Sequence, residues 1–238
     1  MTNKFYQSGE QRAARVADLF GAIAPRYDLI NDLQSLGLHR HWKKLLVRMA
    51  GVKSGEKALD LCCGTGDIAF ALNGAGAEVI GLDFSPAMLE VARARGRQGG
   101  RTVQFIVGDA MQIPFEDNRF DIVSIGYGLR NLSSWARGLE EMVRVLRPGG
   151  RLLALDFGKP ESGLWRRIYF AYLRMVVPLF GKVFCNDSET YAYILESLKV
   201  YPGQRAVAEK LKSLHCCEVV TRDLLGGAMS IHFARKSK

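Results

Sequence analysis

The chain has 238 residues, of which 48% are hydrophobic and 24% charged, and its formal net charge at pH 7 is +9. This composition excludes a disordered or low-complexity chain, and the length suits one large α/β core spanning residues 1–238. No segment reaches the ~18 consecutive apolar residues of a membrane span, and the first residues are polar and mixed in charge, unlike a signal peptide. We therefore expect a cytoplasmic protein.

The first predicted strand ends in a glycine turn. Residues 57–61 form a short apolar strand, and Gly64-Thr65-Gly66 follows it and opens a helix. Such a turn leaves backbone N–H groups and a positive helix dipole at the crevice, and glycine lets a ligand approach the backbone closely. We therefore expect Gly64, Thr65 and Gly66 to bind a nucleotide-like cofactor. Asp60, which precedes the turn, is expected to support the loop by hydrogen bonding to its amides.

Two cofactors are compatible with this turn alone. Gly64, Gly66 and Ala69 satisfy the loose G-x-G-x-x-G/A dinucleotide pattern, and Asp83 lies about 20 residues downstream, where NAD binding expects an acid for its ribose. NAD(P) and S-adenosylmethionine therefore both remain possible cofactors on the evidence of this turn.

The next elements each place an acid after a strand. A second strand over 79–82 leads to Asp83, followed by a Ser85 N-cap and by Pro86 at the first helical position. A third strand leads to Asp109-Ala110. A ribose diol needs an acceptor of the kind that Asp83 provides.

The remaining pattern predicts a doubly wound sheet. Further strands are predicted over 120–125 and 152–155, and helices over 68–73, 86–95, 135–145 and 205–214. Strands that alternate with helices imply a parallel sheet that binds ligands at the carboxyl ends of its strands. The last apolar runs, 218–221 and 229–234, flank Gly226-Gly227 and predict an antiparallel hairpin, which the dehydrogenase half-domain lacks.

Together, these elements resemble the class I S-adenosylmethionine-dependent methyltransferases. The resemblance implies an α/β, Rossmann-like, mostly parallel sheet with an antiparallel C-terminal hairpin. It also implies that the glycine turn holds the methionine part of the cofactor, that Asp83 holds the ribose, and that Asp109-Ala110 lies at the adenine edge. The five cysteines have no CxxC spacing, so we expect no metal site.

Two further stretches narrow the resemblance. Residues 20–43, together with Gly128-Leu129-Arg130-Asn131-Leu132, 144–150 and 191–197, resemble the quinone C-methyltransferases of ubiquinone and menaquinone biosynthesis. This implies a prenylated quinol as acceptor, with demethylmenaquinol as the expected substrate and a benzoquinol of ubiquinone synthesis as the alternative. Cys62 and Cys63 depart from the glycines that many class I enzymes carry in this loop, so we expect a slightly reshaped but intact turn.

Two regions outside the core are expected to form the acceptor pocket: a helical N-terminal extension, 1–51, and a helical insertion or lid, 158–201. Within the insertion, Leu164, Ile168, Tyr172 and Met175 recur at helical spacing. This apolar face is able to hold an isoprenoid tail, to pack on the sheet, or to do both.

A quinol carbon becomes nucleophilic when a ring hydroxyl loses its proton, so a base should lie near the acceptor. Arg130 and Asn131 follow the fourth strand directly and are expected to contact a quinol oxygen. The candidates for the base are Tyr27, Asp28, His39, His41, Asp187 and Tyr191.

The positive charge and the pI of about 9.4 indicate attraction to a polyanion. The chain has no RNA-binding motif and no basic run beyond 235–238, so we favour peripheral contact with an anionic membrane at its inner face and expect no nucleic-acid partner.

An RNA methyltransferase is supported by charge alone. An NAD(P)-binding oxidoreductase would need a Tyr-x-x-x-Lys pair or similar, which the sequence lacks. The oligomeric state, a homo-oligomer included, stays open.

Overall fold

The computed structural model describes residues 27–177 and 189–238, and among them it has seven strands and eight α-helices. The strands are β1 (Lys57–Leu61), β2 (Glu78–Asp83), β3 (Val103–Val107), β4 (Phe120–Gly126), β5 (Leu146–Phe157), β6 (Cys216–Leu224) and β7 (Met229–Lys236). The helices are α1 (Tyr27–Ser35), α2 (Leu38–Ala50), α3 (Asp67–Gly74), α4 (Pro86–Gln98), α5 (Trp135–Val145), α6 (Gly163–Met175), α7 (Glu189–Val200) and α8 (Gln204–Ser213).

The strands form one sheet in the order β3-β2-β1-β4-β5-β7-β6. The first five strands in this order are parallel to one another, and β7 runs antiparallel to both of its neighbours. The predicted doubly wound sheet with an antiparallel C-terminal hairpin is therefore confirmed. Gly226 and Gly227 have φ of 61° and 88° in the connection between β6 and β7, a conformation that glycine adopts without steric cost.

The strand order reverses beside β1, which pairs with β2 on one side and β4 on the other. At such a switch point, the connections that follow the two neighbouring strands leave in opposite directions. They open a crevice at the carboxyl ends of the strands. The crevice of this fold is therefore expected after Leu61, Asp83 and Gly126.

Two apolar layers flank the sheet because successive strand residues point to opposite faces. On β4, Ile122 packs in one layer with Ala58 and Leu153. Its neighbour Val123 packs in the other layer with Leu59. Both faces are covered by helices, which accounts for the almost continuous apolar sequence of β4.

β5 begins earlier than the predicted 152–155. Phe120 pairs with Leu146, but Ile122 already pairs with Arg151, so the chain between them bulges out of the ladder. Gly149 lies in the bulge with φ of 76°. The sequence pattern predicts that the proline and glycines at 148–150 precede the strand. In the structure they lie within β5 and interrupt its ladder locally.

The helices outside the sheet come from the two predicted acceptor regions. α1 and α2 precede the first strand, while α6 and α7 follow β5. The Tyr172 hydroxyl on α6 donates a hydrogen bond of 2.9 Å to the backbone oxygen of Gln34 on α1. The N-terminal region and the insertion therefore meet. In the described part of the chain, no helix is both long and apolar enough to cross a membrane.

Candidate active site

A cleft opens at the carboxyl ends of β1, β2 and β4. Four of the six residues predicted to bind the cofactor line it: Gly64, Asp83, Asp109 and Ala110. Its other walls are formed by residues from the same strand ends and from the segment after β4: Cys62, Leu82, Phe84, Ser85, Met88, Gly108, Met111, Gly126, Tyr127, Gly128, Asn131, Leu132 and Ser133.

Asp83 is fixed by two backbone N–H donors. Gly64 N donates to Oδ2 at 2.8 Å, and Ser85 N donates to Oδ1 at 2.9 Å. Burial raises the pKa of Asp83 above its ordinary value, while these two hydrogen bonds oppose that shift. Because each carboxylate oxygen has two lone pairs, both retain the capacity to accept a hydroxyl hydrogen from a ligand such as a ribose diol.

The cleft also combines a second acid with apolar walls. Asp109 accepts a hydrogen bond of 2.8 Å from Met111 N through Oδ1. Met88, Met111 and Leu132 also line the cleft and supply polarisable or apolar surface. A flat heteroaromatic ring with an amino edge fits this combination.

The other two predicted cofactor residues shape the loop from behind. Thr65 is buried, and its hydroxyl lies 3.0 Å from Asp28 Oδ1, to which it donates. Gly66 has φ of 90°, and a Cβ at this position would come within 2.8 Å of the Phe70 ring. Neither residue lines the cleft, so both shape it only through the geometry of the loop.

A partly buried ionic network ties α1 and α2 to this loop. Arg95 Nη1 donates to Asp28 Oδ2 at 3.0 Å and to the Thr65 oxygen at 2.8 Å, while Arg95 Nη2 lies 2.7 Å from Asp67 Oδ1. Lys43 Nζ lies 2.8 Å from Asp67 Oδ2. Although burial opposes ionisation, Lys43 and Arg95 lower the pKa of Asp67 to about 2. Asp28, a candidate base, is thereby placed among the loop's supports.

Asp60 is buried directly before the turn and accepts a hydrogen bond of 2.7 Å from the Ser124 hydroxyl. Burial raises its pKa to about 7, against the effect of that hydrogen bond. It lies with Lys43 and Thr65 around a small pocket behind the loop. This position agrees with the supporting role expected from the sequence.

The unusual Cys62 is accommodated by a glycine on the facing segment. Cys62 has φ of 49°, and a Cβ on Gly128 would lie 2.5 Å from the Cys62 Cβ. Burial, with the nearby acids led by Asp83, raises the pKa of the Cys62 thiol well above its ordinary value. The loop is therefore intact, and Cys62 presents a neutral thiol to the cleft.

A second, larger cavity of about 590 Å³ adjoins the cofactor cleft, and Tyr127 lines both. Its lining comes from α1, α2, α6, α7 and the ends of β5 and β7 and is dominated by apolar and aromatic side chains: Leu33, Leu36, Leu38, Trp42, Phe157, Trp165, Ile168, Tyr169, Tyr172, Leu173, Val176, Val177, Ile194, Leu225, Ala228 and Met229. The sequence analysis did not identify Tyr127. The available signal was its place directly after β4, between Gly126 and Gly128.

The predicted apolar face of the insertion is divided between the cavity and the surface. Ile168 and Tyr172 line the cavity. Leu164 and Met175 are instead 72% and 68% exposed. Only the middle of the predicted face is therefore available to a ligand inside the cavity.

Arg130 and Asn131 lie at the junction of the two spaces. Arg130 lines the apolar cavity, and Asn131 lines the cofactor cleft. Arg130 Nη1 donates to Ser197 Oγ at 2.7 Å and to Asn131 Oδ1 at 3.0 Å, and its Nε lies 3.2 Å from Asp156 Oδ1. The guanidinium is thus held by three side chains in the wall of the cavity, next to the residue that lines the cleft.

The two candidate histidines have different environments. His39 is 3% exposed, lines the cavity, and has its Nε2 at 2.8 Å from Asp32 Oδ1. His41 lies on the exposed face of the same helix, outside the cavity lining. Tyr27 begins α1, but its side chain lies outside the described part of the structure, as do Asp187 and the side chain of Tyr191.

Within residues 27–177 and 189–238, no group of three or more His, Cys, Asp or Glu side chains is arranged to hold a metal ion. S-adenosylmethionine, the methyl donor that the sequence predicts, fits the cleft: Asp83 offers acceptors for its ribose, and the apolar wall offers a surface for its adenine.

Residues 6–236 match the model of the ubiE/COQ5 methyltransferase family. The chain is 40% identical over 227 residues to the ubiquinone/menaquinone biosynthesis C-methyltransferase UbiE of Pseudomonas aeruginosa (strain LESB58), covering 93% of this chain and 89% of the relative. It is 38% identical over 234 residues to the protein of the same name from Azotobacter vinelandii, covering 95% and 92%.

A solved structure supports the fold. The crystal structure of a SAM-dependent methyltransferase from Aquifex aeolicus superimposes with a TM-score of 0.57 at 20% identity, covering 81% of this chain and 88% of that one. The predicted class I methyltransferase fold is thus confirmed, and an oxidoreductase does not agree with the family match. The chain belongs to the ubiE/COQ5 methyltransferase family.

Proposed function

We propose that this protein transfers a methyl group from S-adenosylmethionine to a ring carbon of a prenylated quinol, with demethylmenaquinol as its substrate. The observation that carries the proposal is the apolar cavity that adjoins the cofactor cleft at Tyr127. A lipid-like acceptor enclosed there would be next to the methyl donor. The names of the curated relatives mention both ubiquinone and menaquinone biosynthesis. Methylation of a benzoquinol is therefore the alternative that an experiment must distinguish from methylation of demethylmenaquinol.

In this proposal the cofactor contacts come from the strand ends. Asp83 accepts hydrogen bonds from the ribose hydroxyls, and Asp109 and Ala110 border the adenine. The amide of Gly64 is already held by Asp83, so the turn and the ribose acceptor form one rigid unit. Thr65 and Gly66 act through the shape of the turn.

When bound, S-adenosylmethionine supplies an activated methyl group on a sulfonium. The protein's own task is then to align the nucleophilic carbon with that methyl group and to exclude water. Tyr127 lines both spaces, and the Arg130 guanidinium, fixed by Ser197, Asn131 and Asp156, places a positive charge in the cavity wall, where it attracts a quinol oxygen. Their rigid placement favours one orientation of the ring.

The apolar walls are matched to an isoprenoid tail. Burial of such a tail is worth about 25 cal/mol per Å² of apolar surface, and the cavity offers Ile168, Leu173 and Val176 from α6 along one wall. RNA would instead require clustered cations to meet its phosphates. The N-terminal extension and the insertion thus serve together as the acceptor side of the enzyme.

The region around the cavity also favours contact with an anionic membrane. Leu36, Leu164 and Met175 are 88%, 72% and 68% exposed, and Arg166, Arg167 and Arg174 are exposed on α6. Apolar side chains that insert at the headgroup boundary, flanked by arginines that attract anionic lipids, are typical of peripheral binding. This would let a membrane-dissolved quinol enter without crossing water.

Complementation tests the proposed reaction. The chain is expressed in bacterial cells that lack their quinone C-methyltransferase, and the quinones are identified by mass spectrometry. The proposal predicts that demethylmenaquinone disappears and menaquinone accumulates. Persistence of demethylmenaquinone despite folded protein would overturn it, and methylation of the benzoquinol alone would select the alternative substrate.

A further inference from the structure

Three aliphatic side chains line the acceptor cavity and are at the same time largely exposed to solvent. Leu36, Ile168 and Leu225 all belong to the cavity lining, and they are 88%, 51% and 51% exposed. Tyr169 and Leu173 line the same cavity but are buried. The three exposed residues therefore lie where the cavity meets the protein surface, and we call them the portal residues.

Two of the portal residues have a backbone conformation that leucine rarely adopts. Leu36, in the connection between α1 and α2, has φ of 51°, and Leu225, in the connection between β6 and β7, has φ of 47°. The left-handed region is sterically costly for a residue with a bulky side chain. Because both leucines are mostly exposed, burial recovers little of that cost. Such costly conformations are concentrated at ligand sites, where the side chain has a function.

Helix α6 is tied to both of the segments that carry these leucines. Trp165 Nε1 donates a hydrogen bond of 2.8 Å to the backbone oxygen of Leu225. The Tyr172 hydroxyl donates one of 2.9 Å to the backbone oxygen of Gln34, in the last turn of α1. Ile168 lies three residues after Trp165 and four before Tyr172, so the three side chains share one face of the helix. The two hydrogen bonds thus hold together the three segments that form the portal.

The charged part of the cavity wall lies inside the protein. Arg130 lines the cavity and is 4% exposed, and the next residue, Asn131, lines the cofactor cleft. A ring that carries oxygen atoms is attracted to this charge, whereas a hydrocarbon tail gains nothing from it. The distribution of charge and apolar surface therefore favours a ligand whose ring lies inside and whose tail points towards the portal residues.

The cavity is also too small for a long prenyl tail. Its volume of about 590 Å³ is in the range of about 300–1,000 Å³ that encloses a drug-sized ligand. A quinol ring with the first few isoprene units is a ligand of that size. A longer tail has to leave the cavity, and the portal residues offer it apolar surface where it does so.

We propose that Leu36, Ile168 and Leu225 form the portal through which the prenyl tail of the acceptor leaves the cavity. The ring lies inside, the first tail units contact the portal residues, and the remainder of the tail stays outside the protein. This inference rests on the proposed function and adds a specificity to it: the enzyme selects acceptors that have the first tail units and does not distinguish tails by their length beyond the portal.

The test measures methylation as a function of tail length in the full-length protein. Demethylmenaquinol analogues with no tail and with tails of one, two, four and eight isoprene units are assayed in one nonionic detergent under reducing conditions, and the products are identified by mass spectrometry. For the unmodified protein, kcat/KM should rise at least about tenfold from the tail-free to the two-unit analogue, because each buried methylene contributes to binding. Between four and eight units it should change less than about threefold, since no further apolar surface is buried.

Ile168→Asp places a carboxylate in the path of the tail. Contact with the tail would remove water from this charge, so the ratio of kcat/KM for the four-unit analogue to that for the tail-free analogue should fall at least about tenfold. Val200→Asp is the matched control, because Val200 is apolar and 68% exposed but lies outside the cavity lining. Its ratio should equal that of the unmodified protein, and calorimetry should give all three proteins the same affinity for S-adenosylmethionine.

Leu36→Gly separates the portal from a packing role. Glycine adopts φ of 51° without steric cost, and the leucine that it replaces is 88% exposed, so the temperature of thermal unfolding should not fall. The preference for the four-unit over the tail-free analogue should nevertheless decrease at least about threefold, because apolar contact with the tail is lost. A lower unfolding temperature with an unchanged preference would show that Leu36 serves the fold, and would overturn its place in the portal.

Failure of the portal and failure of the proposed function give different results. An unchanged dependence on tail length in both Ile168→Asp and Leu36→Gly would overturn the portal and leave the proposed reaction standing. The same conclusion would follow if the unmodified protein methylated tailed and tail-free analogues equally well. Failure of the unmodified protein to methylate any of these quinols would instead overturn the proposed function, and the portal with it.

Discussion

Cys62 and Gly128 face each other across the mouth of the cofactor cleft, so closely that a Cβ on the glycine would lie 2.5 Å from the Cys62 Cβ. Both residues line the cleft. Cys62 also occupies the left-handed region, at φ of 49°. The cysteine in the turn and the glycine after β4 therefore depend on each other, although 66 positions separate them in the numbering.

Gly128→Ala should destabilise the fold by about 1–3 kcal/mol, because overpacking forces side chains and backbone apart. Adding Cys62→Gly should recover most of this loss, since it removes the atoms that collide. Thermal or urea unfolding measures both. Gly163→Ala is the matched control: nothing lies within 4 Å of a Cβ placed there, so its stability should not fall. Equal stability of Gly128→Ala and the unmodified protein would contradict the contact.

Asp83→Ala should abolish measurable binding of S-adenosylmethionine. It removes the acceptor proposed for two ribose hydroxyls and also releases the amides of Gly64 and Ser85. Hydrogen bonds to a charged group are worth about 1.5–3 kcal/mol each, so the loss should exceed about a hundredfold in Kd. Isothermal calorimetry on folded protein measures it, and undiminished binding would refute the assignment of Asp83 to the ribose.

Asp67 should make stability depend on pH in acid. Its pKa is about 2 in the folded protein against 3.8 ordinarily, so its ion pairs stabilise the fold fully above pH 4, and this contribution disappears as the pH falls towards 2. Asp67→Asn should therefore lose about 2 kcal/mol at pH 7 and nothing at pH 2 or below. Urea unfolding across this range measures the difference.

The control for this pH effect is Asp117→Asn. Asp117 is 65% exposed in its ion pair with Arg144, and an exposed pair contributes less than about 1 kcal/mol. A constant difference between Asp67→Asn and the unmodified protein from pH 7 to pH 2 would show that the Lys43 and Arg95 ion pairs do not account for the pKa.

The exposed leucine and methionine on α6 should carry membrane binding. Leu164→Glu combined with Met175→Glu adds two negative charges beside the arginines and removes two apolar side chains, so binding to anionic vesicles should fall at least about tenfold. Flotation with phosphatidylglycerol and with phosphatidylcholine vesicles measures it. Val220→Glu, at a 51% exposed position on β6, is the control and should bind like the unmodified protein. Equal flotation of all three would contradict this surface.

The sheet and the cofactor cleft were predictable because their signals are local. Asp83 follows a short apolar strand, and Gly64 follows another, so parallel pairing alone brings them to one edge, where they form a hydrogen bond of 2.8 Å. The contact between Thr65 and Asp28 was harder to predict from the sequence. Their contact joins positions 37 residues apart, and spacing along the chain does not indicate which side of a turn a side chain faces.

The histidines show what helical geometry adds. An α-helix turns by about 100° per residue. The side chains of residues two positions apart therefore point in directions about 200° apart, so His39 and His41 cannot face the same cavity. The sequence shows this constraint but not which histidine points inward. The position of Tyr127 between the two spaces results from the end of β4 at the switch point and from its own φ of 60°. No local pattern predicts that conformation for a tyrosine.

The most direct test of the central claim uses the purified protein with S-adenosylmethionine that carries a deuterated methyl group. Demethylmenaquinol and the demethylated benzoquinol of ubiquinone synthesis are offered together in mixed micelles, and the extracted quinones are analysed by mass spectrometry. The account predicts that the labelled methyl group appears on the naphthoquinol ring carbon. Absence of label from both quinols, with the cofactor bound and the protein folded, would contradict it.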